Sequence, residues 1–263
     1  MKDKIFRISA AFLMASMLIG VCFAYELYSV SFPKNEVVVF ENHMANGKVS
    51  QVLNTYYKQK SDYVIKAVEE NGNVIKIVVD KNFIPKVYKK QSKSGKILEY
   101  ASYSNGKMKI SIPSKKMDKT VSLPSKYYDA YTLFYAFRKF PFGKKDKIEI
   151  DLAYHDPGNT RVVRMYVENK GIETVKIGAG KFKCYKLEMG TTKALDRAVW
   201  PYKYYFWFST DSRHHFVKFQ GRERDASIIT SELAIYKVDG KFLVKKASSE
   251  KYSSDRPSTL ARN

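Results

Sequence analysis

The stretch from Leu123 to Gly143 (LPSKYYDAYTLFYAFRKFPFG) constrains this chain more than any other, with eight aromatic side chains in 21 residues. No other long segment carries a helical pattern. Ser125 follows Pro124 as an N-cap, Asp129 falls in the first turn, and Arg138 and Lys139 fall in the last. Both charge placements suit the helix dipole, and Pro141 with Gly143 ends the helix. The spacing predicts a helix over about 125–140. On it Ala130, Leu133, Phe134, Phe137 and Phe140 share one side, Tyr127, Tyr128, Tyr131 and Tyr135 cover the next, and only Asp129, Thr132, Ala136 and Lys139 remain for water.

A helix apolar around most of its circumference cannot rest on a flat surface. Burying each aromatic or Leu side chain contributes roughly 1.5–3 kcal/mol, so leaving this face wet is costly. Either a curved sheet wraps the helix, or part of the aromatic face is kept for a ligand.

The rest of the chain supplies the sheet. Short alternating stretches run from Glu36 to Ile112, punctuated by Asn71-Gly72, Ser94-Gly95 and Asn105-Gly106, with Lys107–Ile112 in strict alternation. Lys115–Ser122 reads as a polar connection into the helix. Beyond it, strands are expected over Ile148–Tyr154, Arg161–Glu168, Ile172–Ile177 after a turn at Asn169-Lys170-Gly171, and Gly180–Met189, whose alternation slips phase through a bulge near Cys184 or because the strand is apolar on both faces. Tyr202, Tyr204, Phe206 and Phe208 then share one strand face and Tyr205 and Trp207 the other, so both faces of that strand need cover. His214–Gln220, Ile228–Val238 and Lys241–Lys246 complete the series.

Met1–Ala24 has the form of an export signal: Lys2, Lys4 and Arg7, then an apolar run from Ile8 to Val21, then Cys22-Phe23-Ala24 before a cleavage point at Tyr25. Acylation of Cys22 is the alternative, though Val21 stands where a small residue is usual. The expected organisation is signal peptide 1–24, one curved β domain 25–247 and a polar tail 248–263, in a periplasmic protein. With the signal removed, Cys184 is the one thiol, expected to be buried and unreactive, so the core must hold the fold without a disulfide.

The formal net charge is +21, two units of which lie in the signal. The lysines are scattered as outward strand positions would scatter them. With an export signal, that excludes nucleic acid in favour of an anionic membrane surface. Motifs for catalysis, nucleotide binding or metal binding are absent, so no catalytic residue, metal ligand or cofactor is assigned. Of the four histidines, His155 and His214 are the ones a hydrolytic site would need beside a carboxylate.

Two blocks carry a resemblance. Tyr128-Asp129-Ala130-Tyr131 through Phe137-Arg138-Lys139-Phe140-Pro141-Phe142-Gly143 is one, and Gly178–Leu187 followed by Phe206–Asp211 and Val217-Lys218 is the other. In order and spacing they resemble the exported domain-of-unknown-function family thirty-one-oh-eight, related in shape to the lipoprotein-carrier group. The resemblance implies a mainly β fold, a strongly curved antiparallel sheet (half-barrel) around one central helix, and transfers no catalytic residue.

The leading expectation is therefore a non-enzymatic periplasmic protein holding a lipid, acyl chain or lipidated partner in the concave face. Tyr131, Phe134, Phe137, Phe206 and Trp207 are the candidate lining, and Arg138 and Lys139 the candidates for an anionic headgroup. The alternatives are an envelope assembly or scaffold protein with a filled core, and a polysaccharide-binding or hydrolytic envelope protein.

Overall fold

The computed structural model describes residues 32–155, 160–192, 202–222 and 227–246. The first alternating stretches form β1 (Asn35–Met44), β2 (Val49–Gln59), β3 (Asp62–Glu69), β4 (Val74–Val79), β5 (Pro85–Gln91), β6 (Ile97–Ser104), β7 (Lys107–Ile112) and β8 (Met117–Ser122). Each is antiparallel to the one before. Asn105 and Gly106 take φ of 51° and 67° between the paired residues Ser104 and Lys107. Positive φ at both positions is what a tight hairpin turn demands.

The second half comprises β9 (Tyr128–Asp129), the single α-helical turn α1 (Leu133–Ala136), β10 (Lys147–Tyr154), β11 (Arg161–Ile177), β12 (Gly180–Thr191), β13 (Tyr204–Ser209), β14 (Phe216–Arg222), β15 (Ile228–Val238) and β16 (Lys241–Lys245). All strands join one sheet, in the order β8-β7-β6-β5-β4-β3-β2-β1-β15-β14-β13-β12-β11-β10-β9, with β16 on the rest of the β15 edge. Two meanders thus meet where β1 pairs with β15. The outermost strands, β8 and β9, are consecutive in the chain but do not pair, so the sheet curves around without closing. The expected curved, open antiparallel sheet is the fold observed.

Directly opposed residues of neighbouring strands share a face. One inner row runs Glu36, Tyr56, Ile65, Ile77, Tyr88, Ala101 and Ile110 across seven strands, every one buried. The segment 128–142 lies against this face, and its side chains belong to the same core cluster as the row.

The helix departs from expectation. Helical turns occupy only 130–139, with 3-10 geometry on either side of α1. Ser125 is exposed, and the cap is Asp129, whose Oδ1 accepts the Tyr131 N–H at 2.8 Å. The cause is tertiary: Tyr128 and Asp129 pair in parallel with Leu152 and Ala153, and this short ladder holds the first expected turn extended. The side expected to meet water is also enclosed, since Asp129, Thr132 and Ala136 are buried.

Two other differences follow from pairing. Residues 117–122 form edge strand β8, not a connection, because the exposed side of β7 offers free backbone partners. Asn169–Gly171 does not turn the chain; β11 continues through it with a register irregularity between Asn169 and Ile172, which places the bulge opposite Tyr185–Leu187 and not on the Cys184 strand. His214, expected in a strand, stands in the turn before β14 with φ of 45°. The signal segment, most of loop 191–201 and the tail lie outside the described residues.

Candidate functional site

The inner face and the segment it encloses form the candidate site. Its apolar centre is Phe134, half-buried among Phe216 (ring centroids 4.6 Å apart), Phe219 (5.7 Å, edge-on), Phe206 (6.0 Å) and Phe40 (6.4 Å). Phe137 meets Phe206 edge-on at 5.2 Å. On the other flank Tyr135 stacks on Tyr56 (5.4 Å) and Phe83 (6.4 Å). Such ring pairs add about 0.5–1.5 kcal/mol each to the burial itself.

The sequence-selected lining residues therefore divide. Phe134, Phe137 and Phe206 come together on the inner face and fill it with their own contacts. Tyr131 is 39% exposed, two residues beyond β9 and stacked on Tyr88 of β5 at 5.0 Å. Trp207 faces the other way: its indole N–H donates to Glu173 Oε1 at 2.6 Å, and the Lys186 and Lys218 ammonium groups lie 5.2 and 5.9 Å from its ring. Alternation along β13 forbids Phe206 and Trp207 from sharing a face.

Arg138 and Lys139 are not rim cations. Arg138 is 1% exposed; its Nη1 donates to both Glu36 oxygens (2.8 and 2.9 Å) and its Nε to the Arg213 carbonyl (3.0 Å), while Phe32 covers the guanidinium at 4.4 Å. Tyr236 Oη donates to the same Glu36 carboxylate at 3.2 Å. Burial works against the charged guanidinium, but Glu36 and the other partners outweigh it and hold the pKa above its usual value. Lys139 donates to the Lys81 carbonyl at 2.7 Å, its Nζ 5.3 Å from the Phe83 ring.

Beside this ion pair lies a cavity of about 10 Å³, whose lining includes Arg138, Tyr135, His215, Phe134 and Phe216. That is room for about one water. Arg138 Nη2, Tyr135 Oη and His215 Nε2 are buried with no hydrogen-bond partner among the described residues, so the cavity is polar on one side.

A second polar cluster holds the other end of the segment. Asp129, fully buried, accepts from the Tyr103 hydroxyl, lies 3.1 Å from His155 Nε2 and caps the first turn. Burial first, and the Asp129 charge second, push the Tyr103 phenol well up. A third cluster, Asp211–His215–Ser209, sits in the turn before β14. Burial pushes the Asp211 carboxyl up, but the hydrogen bond and charge of His215 and the Arg213 N–H outweigh it and leave it well below the usual carboxylate range.

The third cluster has the residue types of a hydrolytic triad without its geometry. His215 Nδ1 is 2.8 Å from Ser209 Oγ and 3.1 Å from Asp211 Oδ2, so hydroxyl and carboxylate share one ring nitrogen. A relay needs them on opposite nitrogens. His155 has its carboxylate but is itself buried. Burial, then Glu173 and Asp211, push the Cys184 thiol up to about 12, which keeps it protonated and a poor nucleophile.

Glu36 and Asp129 were not selected as site residues from the sequence, and His155 was named only for the hydrolytic alternative. The available signal was a carboxylate opening the otherwise apolar stretch Glu36–Phe40, and an acid inside the aromatic segment.

The family model described as "Protein of unknown function (DUF3108)" matches residues 27–233. The chain belongs to that family. Among solved structures it is similar to a beta-barrel-like protein of the domain of unknown function DUF1849 from Brucella abortus, at 10% identity and TM-score 0.52, covering 80% of this chain and 99% of that one. It also matches the hypothetical lipoprotein YmcC from Escherichia coli (10% identity, TM-score 0.38, 89% and 96% covered) and the Mycobacterium tuberculosis lipoprotein LppX (9%, 0.23, 80% and 90%). No curated protein matches. At these identities the first likeness speaks for the fold alone.

Proposed function

We propose that this chain is a non-enzymatic protein of the bacterial envelope that fills its own concavity and acts through its outer surface. The observation that carries the reading is the Phe134 cluster: three of the five residues selected to line an apolar pocket, Phe134, Phe137 and Phe206, pack together and fill it. The segment bearing Phe134 and Phe137 is fixed at both ends by buried polar groups, Asp129 at one and Arg138 at the other. The cavity beside Arg138, about 10 Å³, is too small for an acyl chain.

The second reading keeps the lipid, acyl chain or lipidated partner and admits it by displacing the segment. What favours it is the apolar patch of the inner lining (Phe40, Phe206, Phe216, Phe219) together with the unpaired β8 and β9 edges of the open sheet and the 39% exposed Tyr131. Native mass spectrometry and solvent extraction of protein recovered from the periplasm decide between them. The filled-core reading expects the apo mass and no amphiphile. A stoichiometric lipid overturns it in favour of the second.

A further inference from the structure

The outer face of the first meander carries a feature the inner face does not explain. Lys66, Lys76 and Lys89 are directly opposed on β3, β4 and β5, and the same row continues through Thr55 and Val37 to Lys237 on one side and to Tyr100 on the other. Neighbouring strands are about 4.8 Å apart. Like charges directly opposed in adjacent strands repel and destabilise the sheet.

No carboxylate directly opposes Lys76 or Lys89. On this face Asp62, four residues before Lys66, pairs with Lys86 at 2.7 Å, while Glu69 and Glu99 lie on the inner face, where Glu69 pairs with Lys90 at 2.7 Å and Glu99 receives the Tyr88 hydroxyl. Lys76 and Lys89 have no ion-pair partner among the described residues. Their stems lie over an apolar bed, half-buried beside Val64, Val78 and Val87 in one adjoining row and Val68 and Val74 in the other. At the end of the bed Tyr100 and Ile97 are 37% and 42% exposed.

We infer that this row is a docking surface for an anionic phospholipid bilayer. The inference rests on the surface-acting reading above and names its partner. Charge complementarity supplies the attraction, in a chain of formal net charge +21. The valine bed with Ile97 and Tyr100 favours a lipid surface over a soluble polyanion, because lysine stems that snorkel over apolar side chains present both parts of an interfacial contact. A lysine close to an anionic leaflet contributes about a five-fold gain in binding.

The test is co-sedimentation of the full chain with phosphatidylcholine vesicles, with and without phosphatidylglycerol, at low and high salt. Binding is expected only to the anionic vesicles and to be reversed by salt. The triple variant Lys66→Gln, Lys76→Gln, Lys89→Gln should bind about a hundred-fold more weakly. The pair Lys76→Gln, Lys89→Gln alone should melt no lower than the parent, because its repulsion is gone. A control with Lys48→Gln, Lys93→Gln and Lys115→Gln, all exposed between strands, removes equal charge and should bind within about five-fold of the parent.

Equal binding to both vesicle types overturns the inference, as does a control that loses as much as the row variant. A row variant that binds like the parent also overturns it. If vesicles are ignored and a protein partner cross-links to the outer face, the inference fails while the surface-acting reading stands. If lipid is retained at high salt and co-purifies, the filled-core reading fails as well.

Discussion

The two ends of the enclosed segment are held by different physics. At the Arg138 end a full charge is buried and matched by a full charge from β1, a partner 102 residues away, with the Arg213 carbonyl and the Tyr236 hydroxyl completing the set. At the Asp129 end one carboxylate collects a phenol, an imidazole and a backbone N–H from nearer in the chain. The first is a long-range charge match that leaves a severe penalty if either half is lost. The second spreads its dependence over several hydrogen bonds and should fail by degrees. The Arg138 end closes the join between the two meanders, because Glu36 on β1 stands opposite Val238 on β15.

The sharpest way to break that contrast is Glu36→Gln. It leaves Arg138 buried against a neutral partner and should cost about 3–5 kcal/mol, read as the midpoint shift in urea unfolding. The paired change Glu36→Leu with Arg138→Met removes both charges and should recover most of the loss. A single variant costing less than about 1 kcal/mol would mean that the ion pair does not hold the segment.

Asp129→Ala should cost less, about 2–4 kcal/mol, combining a lost cap of about 1 kcal/mol with a buried Tyr103 hydroxyl left without its acceptor. Hydrogen exchange should rise first in β9 and its partner β10 while β1 and β15 stay protected. Exchange that rises uniformly would show that the two ends are not separate anchors.

Much of this architecture could be read from the residues, for a physical reason. Period-two alternation and Asn-Gly turns are local signals, and strands such as Lys107–Ile112 obey them whatever surrounds them. The aromatic segment announced that it must be enclosed. What it could not announce was its length as a helix, because the β9–β10 ladder that shortens it comes from residues 24 positions away. Nor could sequence place Arg138: a basic residue in a last helical turn is favoured by the dipole whether it faces water or a carboxylate, and Glu36 is brought to it only by the completed sheet. Phe206 and Trp207 show the limit from the other side. Alternation said they point oppositely, and only one of them can line the concavity.

Acid separates the two ends at smaller amplitude. The Arg213 carbonyl that receives Arg138 Nε lies in the turn organised by Asp211, whose folded pKa is lowered. A lowered folded pKa contributes stability that is present above the unfolded value of about 4 and is lost as pH falls through the folded one. Unfolding free energy should therefore decline below about pH 4, and Asp211→Asn should remove part of that slope. Asp211 is about half exposed, so solvent screening keeps its share below about 1 kcal/mol. An unchanged slope would place the acid sensitivity elsewhere.

The contrast between Phe137 and Tyr131 tests whether the segment is a fixed filling or a removable one. Phe137 is buried and Tyr131 is 39% exposed, though both were chosen for the same aromatic face. Phe137→Ala empties the contact with Phe206 and should cost about 3–5 kcal/mol. Tyr131→Ala removes a ring that already meets solvent, stacked on Tyr88 alone among the tyrosines, and should cost no more than about 1 kcal/mol. If the Tyr131 variant instead gains binding of an environment-sensitive apolar dye while keeping its melting temperature, the aromatic packing of Tyr131 on Tyr88 is a stopper. The displaced-segment reading then gains on the filled-core one. If dye binding appears only when Phe137 or Glu36 is changed, and only with loss of stability, the enclosed segment is core.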